Sequence, residues 1–247
     1  MLDLRYKPNA SEVIARLRLL HARQARDRIF ATFSLPSRAL EEFGRQYHEG
    51  ECARPDPAAR IAFWDALFAE RARLEDDSIP SAYLSEMDQG LYGGMLGGEV
   101  RFMAHPDNGW ISSMVAPLLR DWSELDSLRI DRAALWFQRY LQQLDVFVRG
   151  AAGKFGISHF ILIDGLNFAF ELMGATATYE SLIEQPEMVR RAIELGYELN
   201  VLVQETFFER VGLLAGGTAS NMAGWLEGRV VSESVDPFHM TSVDYFE

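Results

Sequence analysis

One apolar segment, residues 157–174 (ISHFILIDGLNFAFELMG), constrains the fold more than any other part of the chain. It begins with a continuous apolar run, reaches a carboxylate at Asp164, and ends in a second apolar run. A short apolar run without polar alternation predicts a strand that is covered on both faces. Helical patterns at 131–152 and 186–215 flank it, and helices between strands indicate a parallel sheet. We therefore expect Asp164 at the carboxyl end of its strand, where α/β folds place ligands.

The other hydrophobic patterns divide the chain into an N-terminal helix, residues 1–25, and a larger α/β unit, residues 26–247. Apolar and β-branched runs predict strands separated by long helical connections. These predicted strands span residues 28–34, 79–84, 99–103, 157–163 and 229–236. Segment 105–117 (HPDNGWISSMVAP) has the composition of a loop. An eight-stranded α/β barrel needs more strands than these, although its typical length is about 250 residues. The sequence therefore predicts a chain that ends inside its fold.

Charge and composition narrow the classes of partner. The 247 residues carry a formal net charge of −12, which argues against nucleic acid because phosphate binding needs a basic face. The charge also argues against an anionic membrane surface, and no apolar run is long enough to span a bilayer. Small molecules and proteins remain as partners. A single cysteine, Cys52, and an N-terminus without a signal-peptide pattern predict a reducing, cytoplasmic location.

The histidines form no metal-binding motif. All five are scattered along the chain without the spacing of HExxH or His-x-Cys, and one cysteine cannot make a thiolate site. We therefore predict no metal site within this chain. The GxSxG sequence of a serine nucleophile is also absent.

Carboxylates at the ends of predicted elements are the best candidates for chemistry. Asp88, Asp164, Glu205 and Asp236 lie at strand ends or helix starts, where a carboxylate most often caps a helix. The functional alternative is that two or more of them face one cavity, and that burial raises their pKa so that they act as general acids. Asp88 is the most informative, because it precedes the glycine-rich segment 90–98. That segment is either a flexible turn around a short helix or a backbone that approaches a ligand closely.

The order of several segments resembles the uroporphyrinogen decarboxylase superfamily. Residues 85–100 (SEMDQGLYGGMLGGEV) are similar to a strand-end aspartate followed by a helix and a Gly-x-Glu-Val element. Residues 117–128 (PLLRDWSELDSL) resemble the next segment of that family, with a proline and an acidic helix start. Residues 161–174, the long helix from Pro186, and residues 232–246 follow in the same order. The similarity spans residues 26–247, about the first two thirds of a typical member.

The resemblance implies a (β/α)8 TIM barrel with a deep cleft at the carboxyl ends of its strands, here truncated at the C-terminus. The superfamily includes porphyrinogen decarboxylases, which need no cofactor, and corrinoid-linked methyltransferases, which bind zinc through His and Cys ligands near the C-terminus. Zinc and a corrinoid are therefore implied for a full-length protein, and no cofactor within this chain. By position, Asp88 matches the aspartate that holds pyrrole N–H groups. Arg38 lies near the second arginine of an Arg-x-x-x-Arg element, and Ser234 or Val235 lies near a serine that contacts substrate.

Two departures from the family bear on the reaction. Ser34 stands where that element has its first arginine, and Leu172 stands where the decarboxylases have a tyrosine in the central helix. A substrate with many carboxylates needs several positive groups, so both departures weaken the decarboxylase interpretation. They favour transfer of a methyl group to or from a corrinoid or thiol by the intact protein.

Three functional hypotheses follow. In the methyltransferase hypothesis the cleft is lined by Asp88, Asp164, Asn167, Asp236 and His239. Its substrate is a tetrapyrrole or a methylated compound, and its candidate protein partners are a corrinoid protein and a second copy of the chain. In the decarboxylase alternative, Asp88 orients the ring and stabilises the protonated intermediate, and Arg38 binds a carboxylate. The third alternative is a non-catalytic small-molecule-binding or scaffold protein.

Overall fold

Short strands alternate with longer helices in the structure, a computed structural model that describes residues 2–26 and 29–242. The strands are β1 (Gly50–Cys52), β2 (Ser81–Tyr83), β3 (Val100–His105), β4 (Trp110–Val115), β5 (Gly156–Ser158), β6 (Gly217–Ser220) and β7 (Gly224–Glu227). The helices are α1 (Ala10–His21), α2 (Arg38–Gln46), α3 (Pro57–Arg71), α4 (Gly90–Met95), α5 (Leu135–Ala151), α6 (Gly165–Met173), α7 (Ala175–Glu184) and α8 (Pro186–Val211). Short 3₁₀ turns occur at Ser85–Met87, Trp122–Ser127 and Asp236–Met240.

The described strands form three small sheets and no closed barrel. β1, β3 and β4 form an antiparallel sheet in the order β1-β3-β4, and β6 pairs antiparallel with β7. β2 and β5 form the remaining sheet and pair in parallel. A (β/α)8 barrel needs eight parallel strands closed into a ring. The predicted truncated (β/α)8 barrel is therefore wrong for the residues that the structure describes, which form a mixed α/β fold.

The segment predicted to be a loop, residues 105–117, supplies a strand that is incompatible with a barrel. β4 pairs with β3 along its whole length, from Val115 opposite Val100 to Trp110 opposite His105. The connecting turn contains Gly109 with φ +73°, a left-handed conformation that favours glycine. Because this hairpin satisfies the backbone of β3 on one side and β1 satisfies it on the other, β3 does not join the parallel pair.

The first predicted strand, residues 28–34, is also wrong. Arg28 lies outside the described residues, and residues 29–34 form no strand. The backbone N–H groups of Ala31 and Phe33 donate instead to the side chains of two consecutive aspartates beyond α3, each at 3.1 Å. These carboxylates take the place of a sheet partner for an apolar run whose backbone needs hydrogen bonds.

The central strand and the last predicted strand are shorter than expected. β5 covers only three residues of the apolar segment. Beyond it, Leu162 pairs in parallel with Glu233 as an isolated bridge. The N–H of Leu162 donates to the carbonyl of Ser232 at 2.8 Å, and the N–H of Ser234 donates to the carbonyl of Leu162 at 2.9 Å. The parallel direction predicted for both segments is thus retained over this one bridge.

The long amphipathic helices predicted at 131–152 and 186–215 are present as α5 and α8, and with α6 they enclose the main core. α6 and α8 touch closely because glycine stands at each point of contact. A Cβ on Gly165 would lie 2.5 Å from Ile193, and a Cβ on Gly196 would lie 2.8 Å from Phe168. α6 and its Asp164 cap are therefore held firmly against α8.

The N-terminal segment packs through α1 on a smaller apolar cluster. Val13, Ile14 and Leu17 are buried there together with Ile79, which precedes β2, and Trp225 of β7. This burial removes one face of α1 from water, as its amphipathic pattern predicts.

A buried ion pair fixes the N-terminal segment to the residues that follow α3. Lys7 and Asp76 are each 3% exposed, and the Lys7 Nζ donates to Asp76 Oδ1 at 2.8 Å and to the Asp76 carbonyl at 2.6 Å. Burial by itself raises the pKa of Asp76, but hydrogen bonds from Lys7, Ser78 and the Phe33 N–H outweigh it and lower the pKa to about 2.

We expect Asp76→Asn to destabilise the protein by about 3–5 kcal/mol at pH 7, because it leaves the Lys7 charge buried without its partner. The folded-state pKa of Asp76 is below the unfolded value, so its contribution is present above about pH 4 and is lost as the pH falls toward 2. The difference in free energy of unfolding between the two proteins should therefore narrow over that range in urea titrations. Glu209→Gln, at an exposed position, is the control. A constant difference from pH 6 to pH 2.5 would contradict the lowered pKa.

Candidate functional site

Two polar clusters lie beyond the carboxyl ends of β2 and β5. The Asp88 cluster consists of Tyr83, Asp88, Tyr92 and Glu171. The Asp164 cluster consists of Asp164, Asn167, Glu233, Ser234 and Asp236. In both clusters an aspartate follows a short strand after a brief connection and lies just before a helix, Asp88 before α4 and Asp164 as the N-cap of α6.

The parallel pair positions Asp88. The N–H of Leu84 donates to the carbonyl of Ser158 at 3.2 Å, which extends the pairing by one bond beyond β2. The chain then makes the 3₁₀ turn Ser85–Met87 and reaches Asp88 just before α4. All residues of α4 are buried or nearly so, and this glycine-rich helix packs closely on β4, since a Cβ on Gly90 would lie 2.7 Å from the Met114 nitrogen. The glycine-rich segment 90–98 is therefore a short buried helix followed by turn residues, and the helix agrees with the first of its two predicted forms.

The Asp88 carboxyl titrates far from its ordinary range. Burial raises its pKa to about 7, against a smaller opposing effect from the N–H of Gln89. Burial is also the main cause of the raised pKa of Tyr83, Tyr92 and Glu171, and the charge of Asp88 adds to the shift of each. Near neutral pH the Asp88 carboxyl is thus divided between its protonated and ionised forms.

The other members of the Asp88 cluster are held in place by the core. The Tyr92 hydroxyl donates to Asn200 Oδ1 at 2.6 Å, and the Asn200 amide donates to the Ile163 carbonyl at 2.8 Å. Glu171 is 8% exposed, and its Oε2 accepts from the N–H of Gly93 at 3.2 Å. Residues of α4, α6 and α8 therefore hold Tyr92 and Glu171 in the Asp88 cluster.

The Asp164 cluster is a continuous chain of hydrogen bonds. Asp164 caps α6, its Oδ1 accepting from the N–H groups of Leu166 and Asn167 at 2.9 and 3.0 Å. The Asn167 amide donates to Asp164 Oδ2 at 2.6 Å and to the Ser234 hydroxyl oxygen at 3.1 Å. The Ser234 hydroxyl in turn donates to Asp236 Oδ2 at 3.1 Å. Burial raises the pKa of Asp164 despite these bonds.

Asp164 has features of both interpretations, the helix cap and the carboxylate that could meet a ligand. Its hydrogen bonds to the first turn of α6 are those of a helix cap. Desolvation raises the pKa of Glu233, and the charge of Asp164 raises it further. A second carboxyl therefore lies close to the same cap. The cluster can accept hydrogen bonds from a ligand, but its hydroxyl and amide are largely engaged with one another.

The structure brings together most of the residues predicted from the sequence, but in two groups. Asp164, Asn167, Ser234 and Asp236 belong to one cluster, and Asp88 belongs to the other. Arg38 lies exposed at the first turn of α2, where its backbone N–H donates to Glu70 at 2.9 Å. His239 falls in the 3₁₀ turn Asp236–Met240, and its side chain lies outside what the structure describes.

Sequence reasoning missed Glu171 and the two tyrosines. Glu171 carried a usable signal, because it is the only charged side chain in the nine-residue apolar helix α6. A carboxylate in such a helix is either exposed or held in the core by a specific partner. Tyr83 and Tyr92 carried no such signal, since both read as ordinary core aromatics.

No family model, no curated protein and no solved structure matches the chain. Within the described ranges, no three His, Cys, Asp or Glu side chains are arranged to hold a metal ion. None of the helices described here combines the length and the apolar character needed to cross a membrane.

The raised pKa of Asp88 has a consequence for stability. Because its folded-state pKa is above the unfolded value, the wild-type protein should lose stability relative to Asp88→Asn as the pH rises from about 4 to about 7, by up to about 4 kcal/mol. Above pH 8 the difference in free energy of unfolding between the two proteins should be constant. Urea unfolding at pH 4.5, 6, 7 and 8.5 measures it, with Asp145→Asn, at an exposed ion pair with Arg210, as control. If the free energy of unfolding varied with pH in the same way for wild type and Asp88→Asn, the Asp88 carboxyl would have an ordinary pKa.

Proposed function

We propose that the protein is an enzyme that uses Asp88 as a general acid on a small organic molecule. The observation that carries this proposal is the pKa of about 7 that burial gives to the Asp88 carboxyl. A proton donor is most effective when its pKa lies near the working pH. A pKa that is strongly perturbed by desolvation is also typical of catalytic groups.

The surroundings of Asp88 support an acid rather than a permanently charged group. Tyr83 and Tyr92 keep their protons throughout the neutral range because burial raises the pKa of each hydroxyl. Glu171 has its pKa raised by burial and then by the nearby charge of Asp88, so the two carboxyls resist ionising together. When ionised, Asp88 can instead accept hydrogen bonds from N–H groups of a ligand, as the resemblance to porphyrinogen decarboxylases implies.

Decarboxylation of a carboxylated aromatic compound is the reaction that such an acid supports best. The carbon–carbon bond to the carboxylate breaks, CO₂ leaves without the bonding electrons, and the carbon that keeps them takes a proton. Asp88 supplies that proton and is reprotonated from water. A tetrapyrrole is the substrate class that the resemblance implies.

Methyl transfer remains the second candidate, and two positions in the structure favour it. Ser34 is exposed in an irregular segment and Leu172 is fully buried, so neither provides the cation or the hydroxyl expected for a porphyrinogen decarboxylase. In methyl transfer, Asp88 protonates the heteroatom that loses its methyl group. The described residues do not fit a zinc site, so no step of this proposal passes through a metal bound to them.

The two reactions are separated by their products. Incubation with uroporphyrinogen should release CO₂ if decarboxylation is the activity, whereas a methylated amine with cob(I)alamin should take up a proton and give methylcobalamin and the demethylated amine if methyl transfer is. Binding of each compound is measured in the same titrations. If neither compound binds and neither reacts, the proposal in both of its forms is wrong, and the non-catalytic alternative takes its place.

For whichever substrate reacts, Asp88→Asn should lower kcat by about 10²- to 10⁴-fold, the usual effect of removing a general acid. In the wild type, kcat should fall as the pH rises through about 7, because only the protonated carboxyl donates. Asp145→Asn should leave both kcat and its pH profile unchanged. Full activity of Asp88→Asn would show that another group donates the proton.

A further inference from the structure

A cavity of about 620 Å³ lies along one face of α3, away from both polar clusters. The residues of α3 that line it, Trp64, Leu67, Phe68 and Arg71, have the spacing of a single helix face. The irregular segment 30–35, which we call the strap, forms another side. A cavity of this volume is in the range that holds small organic ligands.

The middle of the cavity is apolar and open to solvent. Leu67 and Phe68 are buried, whereas Leu20, Phe33 and Met222, which also line the cavity, are exposed. Apolar side chains at an open cavity stay in contact with water until a ligand covers them. Removing this surface from water would favour a ligand with an apolar body.

The two ends of the cavity carry charges of opposite sign. Arg71 is the last residue of α3. Asp107 belongs to the β3–β4 turn, which contacts the first half of α3, where Arg60 donates to the Gly109 carbonyl at 2.8 Å. A Cβ on Gly109 would lie 2.3 Å from the ring of Phe63. From Phe63 to Arg71 the helix rises about 12 Å, so the two charges lie at opposite ends of the cavity.

Both of these charged groups are available to a ligand. Arg71 Nη2 donates to the Phe33 carbonyl at 3.1 Å and lies 3.9 Å from a carboxylate oxygen of Asp76. Its Nε and Nη1 make no bond with any residue that the structure describes, and half of the guanidinium fork therefore remains free. Asp107 is exposed, and its carboxylate has no hydrogen bond or ion pair within the described ranges.

The other charged side chains of the lining already have partners. Lys7 is paired with Asp76 at 2.8 Å, and Asp77 is paired with Arg16 at 2.9 Å. The cavity therefore offers a ligand one cation and one anion, at separate places. This arrangement suits a zwitterion whose two charges lie far apart.

Two side-chain amides in the lining have free N–H groups. Asn108 Oδ1 accepts from the N–H of Trp110 at 2.9 Å, and Asn221 Oδ1 accepts from the Ser158 hydroxyl at 3.1 Å. These bonds fix both amides, yet the Nδ2 of each has no partner among the residues described. Neither residue is buried, so each amide can donate to a carbonyl group of a ligand.

The strap adds backbone groups from alternate residues. The N–H groups of Ala31 and Phe33 are used by carboxylates beyond α3. The backbone N–H and carbonyl groups of Thr32 and Ser34, which line the cavity, have no partner in the part of the chain that the structure describes. An extended peptide pairs with such groups as it pairs with the edge of a sheet.

We propose that this cavity binds a short zwitterionic peptide with apolar side chains, its carboxylate on Arg71 and its ammonium on Asp107. An extended chain spans about 3.3–3.6 Å per residue, so about three residues cover the distance between the two charges. The peptide side chains pack on the apolar wall, and its amides face Asn108, Asn221 and the strap. The site is distinct from the one at Asp88 and does not depend on the reaction proposed there.

The tripeptide Leu-Phe-Leu and its C-terminal amide form a matched pair of probes, because they differ only in the carboxylate. We expect Arg71→Gln to weaken binding of the tripeptide about tenfold, the effect of losing a charge-assisted hydrogen bond, and to leave binding of the amide unchanged. Arg73→Gln, at an exposed position outside the cavity, should change neither affinity. Isothermal titration calorimetry at pH 7 measures the affinities, with thermal unfolding of each variant as a check on folding.

The other end of the peptide is tested in the same way with the N-acetyl tripeptide, which lacks the ammonium. Asp107→Asn should weaken the free tripeptide about threefold, a smaller effect because Asp107 is exposed, and should leave the acetylated form unchanged. Glu75→Gln, also exposed and outside the cavity, is the control. ω-Aminooctanoic acid has the same number of bonds between its charges but no amides or side chains, so it should bind at least tenfold more weakly than the tripeptide.

A further variant tests the location without touching the core. Ala223 is exposed and lines the cavity, so Ala223→Trp should obstruct it and weaken the tripeptide at least tenfold, a result that supports the site even if Arg71→Gln is unstable. Unchanged binding in Ala223→Trp, or no binding of the tripeptide to the wild type, would overturn the proposal. Equal weakening of the tripeptide and its amide by folded Arg71→Gln, or equal affinity for ω-aminooctanoic acid, would overturn it as well.

Discussion

The parallel pairing of β2 with β5 is the interaction on which both polar clusters depend. Each strand has only three residues, all of them buried. Strands buried on both faces must be covered by helices, and here α5, α6 and α8 do so while carrying Glu171 and Asn200 inward. Beyond the strands the chain reaches Asp88 before α4 and Asp164 at the N-cap of α6, and burial by the same packing raises the pKa of both carboxyls. The packing of helices on this strand pair therefore both stabilises the pair and raises the pKa values of the two aspartates.

Much of the helical architecture could be predicted from periodicity, and the sheets could not. α5 and α8 have apolar faces long enough to identify them from the sequence alone. β4 lay in a segment rich in Pro, Asn and Gly, and only its pairing with β3 shows it to be a strand. The apolar run 29–34 pairs with no strand. Its backbone N–H groups donate instead to the carboxylates of Asp76 and Asp77, about 45 residues later in the chain. Long-range partner choice of this kind is not encoded in local propensity.

The candidate site was predicted in part for a similar reason. Asp164, Asn167, Ser234 and Asp236 follow neighbouring parallel segments, and carboxyl ends of parallel segments share one edge, so their proximity could be foreseen. Glu171 approaches Asp88 from the far end of α6, which requires knowing how α6 packs on α4.

The central claim is that the Asp88 carboxyl titrates near neutral pH. Carbon-13 NMR of the aspartate side-chain carboxyls, with Asp88→Asn to assign the resonance, measures this directly and needs neither substrate nor activity. The account predicts a midpoint for Asp88 at about pH 7, because burial raises the pKa of this carboxyl. A midpoint near 4, the ordinary value for an aspartate, would contradict it and would remove the basis for a general acid at this position.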